Sequence, residues 1–155
     1  MLNQDFLDLL RAFTQAGVRF VVVGAHALAV HGIPRATGDL DVLVEPSTEN
    51  ANRVLDGLRV FGAPVEAHGL HPADLSTPGT VYQVGLPPSR IDILTSIDGI
   101  DFQRAWESRT VVEIEGLGVP FLGRDALLEN KRAAGRPKDL ADLSMLEIAE
   151  RPDRP

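Results

Sequence analysis

Val21-Val22-Val23-Gly24-Ala25 and, one loop later, Asp39-Leu40-Asp41-Val42-Leu43-Val44 are two apolar runs, the first closed by a glycine and the second opened by a pair of acids. Short apolar runs bounded by glycine and polar residues read as buried strands. A glycine between strand and helix lets the backbone come close to a ligand, and the first turn of the following helix offers free N–H groups and a positive dipole end to phosphate oxygens. Side chains alternate across a strand, so Asp39 and Asp41 project from one side, about 6.6 Å apart along it. Two carboxylates so placed can flank a hard cation such as Mg²⁺ and hold it against phosphates. Each feature alone has a plainer explanation: a glycine that turns a corner, or acids solvated at a strand end. Their combination in one β-α-loop-β unit points to phosphate chemistry.

A third acid sharpens the pattern. Arg90-Ile91-Asp92-Ile93-Leu94 puts Asp92 inside an otherwise apolar strand, where an unpaired charge costs several kcal/mol. Two sources of compensation are open. If its strand lies beside that of Asp39 and Asp41, three carboxylates converge on a site large enough for two Mg²⁺ ions. Otherwise Asp92 pairs with Arg90, Arg35 or a backbone donor.

Outward from these runs, Phe6, Leu9, Leu10 and Phe13 form one helical stripe and Gly17 marks its stop, which predicts a helix over 3–16. Strands are expected over 18–23, 40–44, 80–84 and 90–95, the last two joined by Gly85-Leu86-Pro87-Pro88, with a short helix over 25–30 and a break at Gly32-Ile33-Pro34. Pro46-Ser47-Thr48 offers a capped start to a helix whose Ala51, Val54, Leu55 and Leu58 share a face. The segment 62–79, crowded with Gly, Pro and His, reads as an irregular connection. A short helix at 102–106, a hairpin through Glu115-Gly116-Leu117-Gly118 and two closing helices, 124–134 and 138–150, complete the chain, with Pro137 suited to a first helical turn. No internal repeat is visible.

The chain has 155 residues, 44% hydrophobic, enough for one core and too few for two comfortable domains. The reading is one domain over 1–150 and a frayed tail over 151–155. Without cysteine there is no disulfide framework and no thiolate metal site. No apolar run approaches the ~20 residues a membrane helix needs, and the N-terminus lacks a secretory pattern. A cytoplasmic location, with no membrane partner, is the expectation. A net charge of -7 argues against broad attraction to nucleic acid, while leaving room for a local basic patch.

Gly24-Ala25, Asp39-x-Asp41 and Arg90-Ile91-Asp92-Ile93 together resemble the minimal nucleotidyltransferases of the polymerase-beta superfamily. The run from Gly24 through His31-Gly32-Ile33-Pro34-Arg35-Ala36-Thr37-Gly38 to Asp41 is similar to the signature of the AbiEii-like group, which includes toxins of toxin-antitoxin systems. Lys131-Arg132-Ala133-Ala134-Gly135-Arg136-Pro137-Lys138-Asp139-Leu140-Ala141-Asp142 is similar to the charged C-terminal helical motif of that group. The resemblance covers about 18–146. One departure stands out: members usually carry Gly-Ser or Gly-Gly at the loop, and Ala25 has no hydroxyl for the nucleotide phosphates.

The resemblance implies an α+β (α/β) nucleotidyltransferase fold, a central mixed sheet flanked by helices with a C-terminal helical pair. It implies transfer of a nucleoside monophosphate from an NTP to an acceptor hydroxyl on tRNA, another RNA, a protein or a small molecule, and a cognate antitoxin as a partner. Asp39, Asp41 and Asp92 would be the catalytic and metal-binding acids for two Mg²⁺ ions, with Mn²⁺ as a substitute, and Asp92 would serve the nucleophile side. Gly24, Ala25, His26, Arg35, Lys131 and Arg136 are the candidate nucleotide contacts. Lys131 and Arg136 are read as surface cations whose replacement by Ala leaves the fold intact. The plainer reading of that cluster is a solvated helix face. Asp139 and Asp142, three apart on a helix, are read as structural partners for Lys131 or Arg136. His68-x-x-His71 lacks the helix that a zinc pair needs, and Trp106, Phe102 and Tyr82 read as core or rim. Two other functions remain in view: a nucleotide- or partner-binding module without turnover, favoured by Ala25, and a metal-dependent phosphohydrolase, for which no water-orienting base stands out.

Overall fold

The structure, a computed structural model, describes residues 2–34 and 38–149. Arg35 and the expected tail fall outside them.

Strand β1 (Phe20–Val23) is buried at every position, and β2 (Leu40–Val44) is buried everywhere except Asp41. Continuous apolar runs of this kind belong to strands covered on both faces. The two pair antiparallel, with Phe20 opposite Val44 and Val23 opposite Asp41. The sheet has six strands in the order β3-β4-β2-β1-β6-β5, where β3 is Val81–Val84, β4 Ile91–Leu94, β5 Thr110–Ile114 and β6 Leu117–Phe121. It is mixed: β2 and β4 run parallel, as do β1 and β6, while β3 and β5 pair antiparallel with β4 and β6. A mixed sheet flanked by helices is the expected architecture.

Helix α1 (Gln4–Gln15) starts where the Asn3 side chain accepts a hydrogen bond from the Phe6 amide, and it buries Phe6, Leu9, Leu10 and Phe13. Helix α3 (Thr48–Phe61) is capped by Ser47 and stops at Gly62, whose φ of 101° only glycine takes at little cost. The two helices pack together, and a Cβ on Gly57 would lie 2.7 Å from the Phe13 ring. Buried Asn50 accepts from the Arg19 amide (2.8 Å) and donates to the Arg19 and Glu45 carbonyls (3.0 Å each), which ties the start of β1 to the end of β2.

Parallel pairing of β2 with β4 requires a crossover, supplied by α3, a short α4 (Pro72–Leu75) and β3. The irregular reading of 62–79 missed α4. Pro72 opens that helix and the Asp74 carboxylate accepts from the His71 amide at 2.9 Å, so the turn is made by local caps that leave no periodicity to read. Helix α2 (Gly24–Val30) follows β1 directly. Helix α5 (Phe102–Glu107) precedes the β5-β6 hairpin, and α6 (Arg124–Ala134) and α7 (Pro137–Ala149) close the described chain as a packed pair. Among the described residues no helix is long and apolar enough to cross a membrane.

Candidate active site

The strand register brings the acids together. Asp41 and Asp92 are direct partners on adjacent parallel strands, and Asp39 sits one residue before β2, two ahead of Asp41. Asp92 is 9% exposed. Burial, and then the charges of Asp92 and Asp39, push the Asp41 carboxyl up to about 7, and it shares a hydrogen bond with Asp92. Among the described residues one cation, Arg90, is ion-paired to Asp39 and Asp92. Arg90 donates through Nη2 to Asp39 Oδ2, and its Nε lies 3.3 Å from Asp92 Oδ1. The ion pair left open for Asp92 is therefore present, yet among the described residues one guanidinium serves both Asp39 and Asp92, and buried Asp92 Oδ1 accepts no hydrogen bond.

Hard oxygen donors, surplus negative charge and an unsatisfied buried carboxylate oxygen fit a divalent cation such as Mg²⁺. Among the described residues no three acidic or histidine side chains are yet gathered as a ready cage. Arg90 reaches between two of the three acids.

Gly24 has a more particular reason than close approach to a ligand. Its φ is +69°, and a Cβ placed on it would collide with the Asp41 carboxylate. The room left by the missing side chain is filled by that acid. Gly24→Ala should accordingly lose about 1–3 kcal/mol to backbone strain and push Asp41 from its seat. Urea unfolding checks the loss, and an unchanged midpoint would remove this account of the glycine.

Ala25 packs against Gly38, where a Cβ would meet it at 3.0 Å. The His26 Nε2 lies 3.3 Å from the Gly38 carbonyl, its ring meets Phe6 edge-on at 5.5 Å, and burial lowers its pKa. Gly24 and Ala25 line the cleft, while His26 contacts Gly38, the residue before Asp39.

The opposite wall comes from α6 and α7, across a cleft of about 880 Å³ that Asp39, Asp41, Lys131, Arg136, Asp139 and Asp142 line. Lys131 corrects an expectation: it is no surface cation but 7% exposed, with its Nζ 3.3 Å from Asp139 Oδ1 and 3.2 Å from Asp142 Oδ2. Arg136 keeps 67% of its side chain in solvent and donates through Nε to Asp139 Oδ2 at 2.6 Å. The structural pairing expected of Asp139 and Asp142 is what the geometry holds.

The two partners shift in ways that separate burial from pairing. Burial lowers the Lys131 pKa more than its carboxylates raise it. The Arg136 hydrogen bond, with Lys131 behind it, holds Asp139 down at about 2. A depressed carboxyl stabilises the fold above its unfolded pKa and loses that contribution as pH falls through its folded one. Asp139 should thus contribute fully above about pH 4 and nothing once pH drops below about 2. Melting curves of the wild type and Asp139→Asn should converge over that interval; a gap that stays constant down to pH 2 contradicts the pairing.

Four participants, Arg90, Ser96, Asp98 and Asn130, were not apparent in the sequence. Arg90 was considered for Asp92 but not as a bridge to Asp39, and its alternation with Asp92 was the available signal. Ser96, Asp98 and Asn130 also line the cleft, and Asn130 donates to the Asp98 carbonyl at 2.9 Å, a contact between distant segments that no spacing announces. Elsewhere, His68 Nδ1 lies 2.8 Å from the Tyr82 hydroxyl, and Trp106 lies between the guanidinium groups of Arg19 and Arg109 at 4.6 and 3.9 Å.

No known protein family and no curated protein matches the chain. Among solved structures it is similar to a Thermotoga maritima protein provisionally named a nucleotidyltransferase, with 18% identity, a TM-score of 0.52, and coverage of 97% of this chain and 91% of that one. At that identity the likeness concerns the fold alone, which this chain shares with that protein.

Proposed function

We propose that the protein is a metal-dependent nucleotidyltransferase that moves a nucleoside monophosphate from an NTP to an acceptor hydroxyl and releases pyrophosphate. The observation that carries this reading is the register of Asp41 with buried Asp92, with Asp39 and Asp41 lining a cleft whose far wall bears Arg136. Two divalent cations, Mg²⁺ or Mn²⁺, would activate the acceptor hydroxyl and neutralise the leaving pyrophosphate. Asp39 and Asp41 would hold both ions, and Asp92 would hold the one on the acceptor side and take the hydroxyl proton. Arg136, exposed at the cleft, would bind the triphosphate, since phosphoryl transfer is mainly a matter of positioning and charge. Lys131 already faces two carboxylates, so its part is to hold that wall.

The finer reading is an AbiEii-like toxin with a cognate antitoxin, acting in the cytoplasm on tRNA, another RNA, a protein or a small molecule. The charged run 131–142 and the Gly24 to Asp41 signature support it. A second reading, a nucleotide- or partner-binding module without turnover, rests on Ala25, which brings no hydroxyl to the cleft.

Purified protein incubated with each α-labelled NTP, Mg²⁺ and total RNA should transfer label to RNA, to protein or to a small molecule. Bound nucleotide without transferred label would favour the module; neither would sink both. Calorimetric titration of folded Arg136→Ala should show NTP affinity reduced by about tenfold, and the variant should also melt below the wild type because buried Asp139 loses its main hydrogen-bond donor. Unchanged affinity returns Arg136 to a purely structural pairing.

A further inference from the structure

We propose that Arg90 is the resident counter-ion of the acid cluster and must leave Asp39 and Asp92 before a divalent cation can bind, so that loading the site is coupled to the swing of this one side chain. The inference rests on the metal-dependent reading above.

Arg90 stands one residue before β4 and two before Asp92, so strand alternation sends both side chains to the same face. The guanidinium is divided between two carboxylates, Nη2 on Asp39 and Nε beside Asp92. A guanidinium fork matches one carboxylate best when two parallel N–H bonds form. Here the fork is split, and both Arg90 Nε and Asp92 Oδ1 remain buried without a hydrogen bond. The attraction is strong in charge and poor in direction, as suits a contact that can be given up.

Arginine cannot shed its charge at any working pH, so this cation cannot be neutralised in place. It has to move. Its side chain is 34% exposed, which gives it a route toward solvent. It lies against one oxygen each of Asp39 and Asp92, two of the acids that would hold the metal, and two cations within a few ångströms repel each other. Without it, no other cation among the described residues is ion-paired to Asp39 or Asp92.

The probe is Mn²⁺ itself, titrated without nucleotide and followed by electron paramagnetic resonance. Arg90→Met, similar in reach and uncharged, should bind Mn²⁺ at least about tenfold more tightly than the wild type, and should show a larger metal-induced rise in Tm from a lower metal-free Tm. Arg90→Lys keeps the charge and should stay nearer the wild type. In the wild type, the Arg90 Nε–Hε resonance should shift as Mg²⁺ saturates the site, a measurement that stands even where Arg90→Met does not fold. Equal or weaker Mn²⁺ binding by Arg90→Met, or a resonance indifferent to saturating Mg²⁺, overturns the exchange while leaving the transferase reading in place. Absence of Mn²⁺ binding in every form removes the metal-dependent reading along with it.

Discussion

Lys131→Ala should be among the most destabilising single changes in the protein, at about 3 kcal/mol, because it takes the ammonium from between two buried carboxylates, Asp139 and Asp142. The two carboxylates are almost fully buried, so neither can recover its hydration without opening the α6-α7 pair. For a chain of this size the loss corresponds to a fall in Tm of about 10 °C. Arg136 remains on Asp139 and limits the damage there; Asp142 loses the ammonium. Adding Asp142→Asn to Lys131→Ala should therefore recover part of the loss, since it removes a charge the first change left exposed to its neighbour. A Lys131→Ala protein that melts with the wild type would show that the ammonium contributes nothing to that wall.

The second large effect concerns Asp92. Asp92→Asn keeps the shape and removes one negative charge from the acid cluster. Transfer should fall roughly 10²- to 10³-fold, the equivalent of a few kcal/mol of charge stabilisation in the transition state. The metal-free protein offers an independent readout. Asp41 titrates at about 7 when folded, against the ordinary carboxylate range unfolded, so between about pH 4 and pH 7 the folded state holds a proton that the unfolded state has released. Stability must then decline as pH rises through that window, by an amount on the order of 4 kcal/mol. Asp92→Asn removes one of the charges that raise Asp41 and should flatten the decline. It also takes a carboxylate from Arg90, which retains Asp39. Urea unfolding from pH 4 to 8 in the presence of a chelator measures both slopes. An unchanged slope together with retained transfer would sink the role given to Asp92.

These effects show how far residues alone could lead. Val21 to Val23 and Val42 to Val44 announced buried strands because burial on both faces demands uninterrupted apolar side chains. An acid inside such a strand, as at Asp92, is conspicuous for the same reason. Periodicity also placed α1, α3 and α6, whose buried faces recur at helical spacing. It could not place α4, where four residues are too few to repeat anything. Nor could it tell a solvated lysine from a buried one: Lys131 is followed at once by Arg132, and only the packing of α7 onto α6 decides which of the two faces inward. The sequence likewise named Gly24 as special without showing its occupant. That Asp41 fills the space depends on β1 and β2 pairing antiparallel in one register.

The pairing of Asp41 with Asp92 has a consequence for the chain as it is made. The acid face needs two parallel strands whose partners are far apart in sequence, so closing that loop comes after the antiparallel β1-β2 contact. The opposite wall lies later still, in α6 and α7. A ribosome releasing the chain from its N-terminus exposes the carboxylates first and Lys131, Arg136 and Asp139 last. A nascent chain ending before α7 can bring Asp39, Asp41 and Asp92 together yet has only half a cleft, and the complete site exists only once synthesis has passed the final described helix.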